Sequence, residues 1–262
     1  MDVRRAGPEP GGVLAAARRP APDDGRVFDA ERTVRLGDVD RHGRLRLDAL
    51  ARHLQDVATD DTVDARIGSA ALTWVVRRAA VVVDRWPRYL EPVLYSTFCS
   101  GTGPRWAERR TTCLGDAGGR VGTAVLWACI DAGTGRAADL PAGFDGVWGA
   151  AAGGRAVSAR LIHPPPREPL SERSWQVRAG DLDILGHVNN AVHWAAVEDE
   201  LARLLPDAVP VAAELEYRLP IELDDALTLR SRVDGPELST WMVSPRGLHA
   251  SARVVCGDGS AG

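Results

Sequence analysis

Residues 34–43 and 177–186 carry one pattern at an offset of 143 residues. Val34-Arg35-Leu36-Gly37-Asp38-Val39-Asp40 aligns with Val177-Arg178-Ala179-Gly180-Asp181-Leu182-Asp183, and Gly43 aligns with Gly186. Both copies read V-R-x-G-D-x-D-x-x-G. A chain that repeats over so long an offset folds as two similar units, or as one unit with internal twofold character. The segments beyond each copy also agree in pattern, so the match extends past ten residues.

In the first copy Leu47, Leu50, Ala51, Leu54 and Ala58 recur at helical spacing, and in the second Trp194, Val197, Leu201 and Leu204 do the same. Strand-like runs come after each helix. They cover residues 74–86, 92–100, 105–114 and 120–131 in the first copy, and 211–217, 226–233, 239–243 and 248–256 in the second. These runs are rich in Val, Thr, Leu, Trp and Tyr and are broken by Gly, Pro and Asp. One helix covers a sheet only if the sheet curls around it. The expected fold is therefore α+β: two tandem hotdog repeats, each a long helix wrapped by an antiparallel sheet. The expected boundaries are a disordered leader over 1–26, a first repeat over 27–131, a linker over 132–170, a second repeat over 171–256 and a tail over 257–262. The linker is expected from its Gly, Ala and Pro content, with Pro164-Pro165-Pro166 near its end.

Composition narrows the function classes. The net charge of −4 over 262 residues argues against a dedicated nucleic-acid binder. Every basic residue other than histidine is Arg, which reads as coding bias, so Arg number carries little weight. No apolar run approaches the ~18–20 residues that span a bilayer. Cys99, Cys113, Cys129 and Cys256 form no CxxC pair and lie at no metal-ligand spacing from a His. They read as reduced, buried thiols of a cytoplasmic protein. No GxSxG, HExxH or P-loop is present.

The segment that carries chemistry is Asp181-Leu182-Asp183-Ile184-Leu185-Gly186-His187-Val188-Asn189-Asn190. It places a carboxylate and an imidazole on a Gly-containing turn that enters a helix. Helix N-termini present unpaired N–H groups and a partial positive charge, which suits an oxyanion derived from a carbonyl. Asn189 or Asn190 is suited to cap the helix. The alternative is that Asp183 and the two asparagines serve only the turn and the cap.

D-x-D-x-x-G-H-V-N-N before a helix resembles the signature of hotdog thioesterases. The resemblance narrows to the plant and bacterial acyl-ACP thioesterase family through His53-Leu54-Gln55, Trp74-Val75-Val76-x-Arg78, Val83-Asp84-Arg85-Trp86-Pro87 and Leu215-Glu216-Tyr217-Arg218. It runs from about Phe28 to Cys256 and keeps both repeats in order. It implies that the first repeat shapes an acyl pocket, lined by Leu50, Leu54, Gln55 and Trp74, and that the second carries catalysis. It matches Asp183 to the catalytic aspartate and His187 to the motif histidine, with Asn189 also catalytic and Asn190 positioning an oxyanion. This sequence departs from the family at Leu185, at His193, and at Pro220 and Ile221, where an asparagine, a tyrosine and an acidic–cysteine pair are expected. Glu222 is a nearby acid that could stand in for the last of these. An Asp-centred mechanism without metal or organic cofactor is therefore expected. Asp40 matches Asp183 by repeat alignment but is not followed by Gly-His-Val-Asn-Asn, and is expected to be structural, as is His53.

The implied reaction is hydrolysis of an acyl thioester on acyl carrier protein. An acyl-CoA or a polyketide on its carrier is the nearest alternative, a non-catalytic acyl-binding module the next, and a hotdog dehydratase or hydratase the last. The carrier is acidic, so Arg77, Arg78, Arg105, Arg109 and Arg110 are expected to form a steering rim. No nucleic-acid or membrane-spanning role is expected, and a homodimer is left open.

Overall fold

The computed structural model describes residues 11–68, 70–168 and 170–257. A short helix, α1 (Gly11–Ala16), precedes β1 (Phe28–Thr33), a 3-10 turn at Leu36–Asp38 and the 19-residue helix α2 (Leu47–Ala65). Then come β2 (Leu72–Arg85), β3 (Pro92–Gly103), β4 (Trp106–Gly115) and β5 (Arg120–Asp131). A π-helical turn at Asp145–Gly149 runs into the one-turn helix α3 (Ala150–Ala152). The second unit begins with β6 (Ser171–Trp175), a 3-10 turn at Ala179–Asp181 and the 15-residue helix α4 (Asn190–Leu204). It ends with β7 (Val209–Tyr217), β8 (Leu227–Asp234), β9 (Glu237–Ser244) and β10 (Gly247–Gly257).

The strands form one ten-stranded sheet in the order β1-β3-β4-β5-β2-β7-β10-β9-β8-β6, antiparallel at every pairing. Read inward from either edge, the order is the same: first, third, fourth, fifth, second strand of the unit. The seam is β2 against β7, with Arg78 opposite Glu216 and Val82 opposite Ala212. The fold is the expected double hotdog. The central helices touch across the twofold, and the two side chains that reach across, Gln55 and Glu198, are 143 positions apart. Leu47 N–H donates to Glu198 Oε1 at 2.7 Å, and Gln55 donates to Asn189 Oδ1 at 3.2 Å.

The apolar periodicity of the helices is the face that the sheet covers. Leu47, Leu50, Leu54 and Val57 of α2 and Trp194, Val197 and Leu201 of α4 share one core with Val76, Val81, Leu215 and Leu229. His53 is also on the buried side, its Nδ1 2.7 Å from the Tyr95 hydroxyl. Burial lowers its pKa, against the pull of Asp38. The run Val81-Val82-Val83 does not alternate in polarity because both faces of β2 are covered. Val81 and Val83 face the central helices, whereas Val82 packs on Ala16 and Ala17.

Residues 11–26 therefore differ from the disordered leader expected of them. Ala17 is fully buried against the sheet, and Arg18 pairs with Asp84 at 2.8 Å. A segment of Ala and Gly has too little apolar patterning to reveal this by itself; small side chains let its backbone lie close on β2 and β5. Residues 1–10 and 258–262, where the rest of the leader and most of the tail were expected, lie outside the described residues. The stretch 132–170 also does more than connect. It inserts Phe144 and Trp148 beside Cys99 and Ala107, then crosses the outer face of the sheet. There Trp106 Nε1 donates to Val157 O at 2.9 Å and Arg78 to Arg160 O at 3.1 Å.

Candidate active site

Leu182 and Val188 form a small antiparallel bridge that brings Asp183 to the front of α4. Asp183 N–H donates to His187 O at 2.8 Å, and Gly186 N–H donates to Asp183 O at 3.0 Å. Gly186 sits at φ +76°, in the left-handed region, where a Cβ is costly. The carboxylate is oriented by one oxygen only: Asp183 Oδ1 accepts the Leu185 N–H at 2.8 Å. Asp183 Oδ2 has no hydrogen-bond partner among the described residues.

Asn189 is the N-cap of α4. Its Oδ1 accepts from Ala191 N at 2.9 Å and from Gln55 Nε2 at 3.2 Å, so α2 steadies the cap of α4. The backbone amide of the next residue, Asn190, donates to nothing among the described residues. It lies at the positive end of a four-turn helix, where an oxyanion is favoured.

Gln55, Asp183 and Asn189 line one cavity of about 470 Å³. Its wall is aromatic: Trp74, Trp127, Phe144 and Trp148 all contribute, with Phe144 4.9 Å from Trp148 and 6.0 Å from Trp74 between ring centroids. Ile184 and Leu185 lie on the same cavity and are both exposed, Ile184 fully. The wall is braced by Asp61, which is buried between Arg26 at 2.6 Å, Arg109 at 2.6 Å and Trp148 Nε1 at 3.0 Å. Phe144, Trp148 and Asp61 are missed by reasoning from the sequence. The signal that could have found them was a pair of aromatics, Phe144 and Trp148, in an otherwise Gly- and Ala-rich stretch.

Of the residues expected to line the acyl pocket, Gln55 and Trp74 lie on this cavity. Leu50 and Leu54 are core side chains that border a void of only about 30 Å³, which shares Gln55 and Trp127 with the larger cavity and also touches Asn190. The His187 ring is not on the cavity and makes no hydrogen bond among the described residues; its carbonyl holds the Asp183 turn. Leu185 forms part of the rim. His193 is buried 5.1 Å from Tyr217, and burial pushes its pKa down to about 4, so it is neutral at pH 7. Ile221 is buried and accepts the Val188 N–H at 2.9 Å. Glu222 is on the surface, paired with Arg246 at 3.0 Å, and does not reach the cavity.

The arginines expected to form a rim do not form one. Arg78 and Arg110 are buried and Arg77 is half-buried. Arg109 lies inside the cavity, and only Arg105 is at the surface, paired with Asp139 at 3.2 Å. Among the described residues, His163, Glu214 and Glu216 are the group close enough to share a metal ion. Glu216 is already taken by Arg218 at 2.7 Å and by the Ile162 and His163 amides, so the cluster reads as a polar fastening beneath residues 156–164.

The twofold copy of this site is differently wired. Asp40 repeats the turn, with Gly43 at φ +74°, but both of its oxygens are in use. Oδ1 accepts from His42 N and Arg44 N at 2.8 and 3.0 Å, and Oδ2 accepts from Arg44 Nε at 2.8 Å. Burial works against its ionisation, but these bonds outweigh it and hold its pKa below the ordinary carboxylate value. The helix-end amide that matches Asn190 N is Leu47 N, and Glu198 fills it. Burial and then the Asp48 charge push the Glu198 carboxyl up to about 8.

The folded state therefore holds a proton on Glu198 that the unfolded chain, with an ordinary Glu near ~4.3, has lost. Stability from this group falls as pH rises from ~4.3 to about 8 and is level above that. Glu198→Gln keeps the acceptor for Leu47 N and removes the titration. Its melting temperature is expected to gain on the wild type by ~3 °C or more between pH 5 and pH 8. A constant difference across that range would show that Glu198 does not titrate there.

Residues 25–144 match the acyl-ACP thioesterase N-terminal domain, and residues 166–247 match the acyl-ACP thioesterase C-terminal domain. An uncharacterized protein of Mycobacterium tuberculosis is 29% identical over 217 residues, covering 83% of this chain and 86% of that one. The 12:0-ACP thioesterase from Umbellularia californica superposes with a TM-score of 0.74 at 20% identity, over 88% of this chain and 97% of that one. An acyl-ACP thioesterase from Bacteroides thetaiotaomicron superposes with a TM-score of 0.70, also at 20% identity, over 88% of this chain and 98% of that one. No helix among the described residues is long and apolar enough to cross a membrane. With both domains matched in order over most of its length, the chain belongs to the acyl-ACP thioesterase family.

Proposed function

We propose that this thioesterase-family hydrolase releases a free acid from an acyl group held as a thioester on acyl carrier protein, in the cytoplasm, with Asp183 as its reacting carboxylate. One observation carries the reading: Asp183, with a free Oδ2, and Asn189, the cap of α4, both line one aromatic cavity, and the next residue's amide, Asn190 N–H, is free among the described residues.

In this reading the acyl chain lies in the cavity and the thioester carbonyl faces the N-terminus of α4. Asp183 takes a proton from water as the water oxygen attacks the carbonyl carbon. The Asn190 N–H holds the developing oxyanion, and Asn189, steadied by Gln55, fixes that end of the helix. The C–S bond then breaks, and the thiolate leaves and takes up the proton. Thioester and water give acid and thiol, and no other reactant enters. The exposed apolar side chains of Ile184 and Leu185 give the arm that carries the thioester a surface to lie on.

The test is release of free thiol from matched panels of acyl carrier protein and CoA thioesters. Turnover of the carrier panel with kcat/KM above that of the CoA panel supports the reading. Preference for CoA moves the substrate to the nearest alternative. Binding of acyl chains without thiol release from either panel would make the protein an acyl-binding module.

A further inference from the structure

We propose that the cavity takes an acyl group bearing a neutral oxygen, as a hydroxyl or ketone, on its distal part, and that Arg109 reads that oxygen. The inference rests on the thioesterase reading above and narrows its substrate class. Among the described residues that line the cavity, Arg109, on β4, is the one cation. Its Nη1 is committed to Asp61 Oδ2 at 2.6 Å and to Thr97 Oγ1 at 3.4 Å. Its Nε and Nη2 have no partner among the described residues, and the side chain keeps 16% of its surface although it lines a cavity. A guanidinium thus offers free donors to whatever fills a space otherwise walled by Trp74, Trp127, Phe144 and Trp148.

Its place is set by α2. Asp61, which Arg109 grips, is six residues beyond Gln55, so the free donors lie about 9 Å along the helix axis from the Gln55–Asn189 bond at a rise of ~1.5 Å per residue. That is well away from the reacting carbonyl. Thr59 and Thr62, on the same wall, donate their hydroxyls to helix carbonyls at 2.9 and 2.8 Å and keep the capacity to accept.

Charge favours a neutral oxygen over a carboxylate. Arg109 and Arg26 face Asp61 and Asp64, with Arg26 at 2.6 and 2.5 Å from the two carboxylates, so the cluster is already balanced. Glu108 also lines the cavity, with its Oε1 held by Ser100 Oγ at 2.8 Å, and its negative charge adds to the case against a carboxylate. A saturated chain laid over Arg109 strips water from the free donors and returns no bond. A hydroxyl or ketone oxygen returns a charge-assisted one.

The test uses pantetheine thioesters of one chain length in three forms: saturated, distally hydroxylated or oxidised to the ketone, and terminated by a carboxylate. For the wild type, kcat/KM for the oxygenated form is expected to exceed that for the saturated form by about tenfold or more. Arg109→Lys keeps a cation beside Asp61 but loses the planar fork, and the ratio is expected to fall toward one. Equal or better turnover of the saturated form, a ratio unchanged in Arg109→Lys, or preference for the carboxylate form would each overturn the proposal. The matched free acids give a second reading by calorimetric titration of the wild type, with the oxygenated acid expected to bind about tenfold tighter. Equal binding would overturn the proposal even if no thioester were hydrolysed. Absence of hydrolysis with the binding ratio intact would instead remove the thioesterase reading.

Discussion

Asp183→Asn is expected to lower kcat on the order of 10²-fold or more while leaving the melting temperature within ~1 °C of the wild type, because the amide cannot take a proton from water at neutral pH. The substitution is mild structurally. The bond that holds the side chain is the Leu185 N–H to Oδ1, and an amide oxygen can accept it equally well. Asp40→Asn is the matched control, and its effect on kcat is expected to be a few-fold at most. Asp40 already spends both oxygens on His42 and Arg44, and the helix-end amide of its half is filled by Glu198. The loss in Asp40→Asn should appear as stability instead, since it removes an ionised partner of Arg44. His187→Ala keeps the carbonyl that closes the Asp183 turn and removes a ring that is not on the cavity, so its effect on kcat is also expected to be a few-fold at most. Steady-state kinetics and thermal melts on the three variants decide the matter. Near-full turnover in Asp183→Asn, or loss of turnover in Asp40→Asn, would refute the assignment.

The repeat was legible in the sequence because each unit uses the same turn, and that turn needs Gly at φ > 0 in both copies, at Gly43 and Gly186. The strands and helices were legible because each buries one face, which writes period two or 3.6 into the residues. Two things were not written there. α1 and residues 132–170 bind the sheet through small side chains, backbone carbonyls and two isolated aromatics, which leave no period to read. Pairing between the copies was also hidden. The contacts of Gln55 with Asn189 and of Glu198 with Leu47 join residues more than a hundred positions apart, and only the twofold brings them together. Periodicity marks Leu50 and Leu54 as the apolar face of α2, and the resemblance implies that they line the acyl pocket; both are buried in the packed centre. The helix face toward the cavity is the next one round, at Gln55, Ala58, Thr59 and Thr62.

That rotation of the lining face decides where the chain-length barrier can be built. Ala58 is half-buried on α2 and lines the cavity one turn beyond Gln55. Ala58→Trp puts an indole into the space that the distal chain would use, while the reacting end near Asp183 is left untouched. Each methylene denied burial costs about 0.8 kcal/mol, so excluding three or four lowers kcat/KM on the order of 10²-fold. The loss is expected for long acyl chains, with short ones close to wild-type turnover. Leu50→Trp is the contrasting change. Leu50 is fully buried in the core, so the larger ring has to displace its neighbours, at about 1–3 kcal/mol of stability. Its effect should fall on the melting temperature and bear alike on all chain lengths. A chain-length series with both variants separates a wall from a core position. A profile unchanged in Ala58→Trp, with the fold intact, would place the acyl chain somewhere other than this cavity.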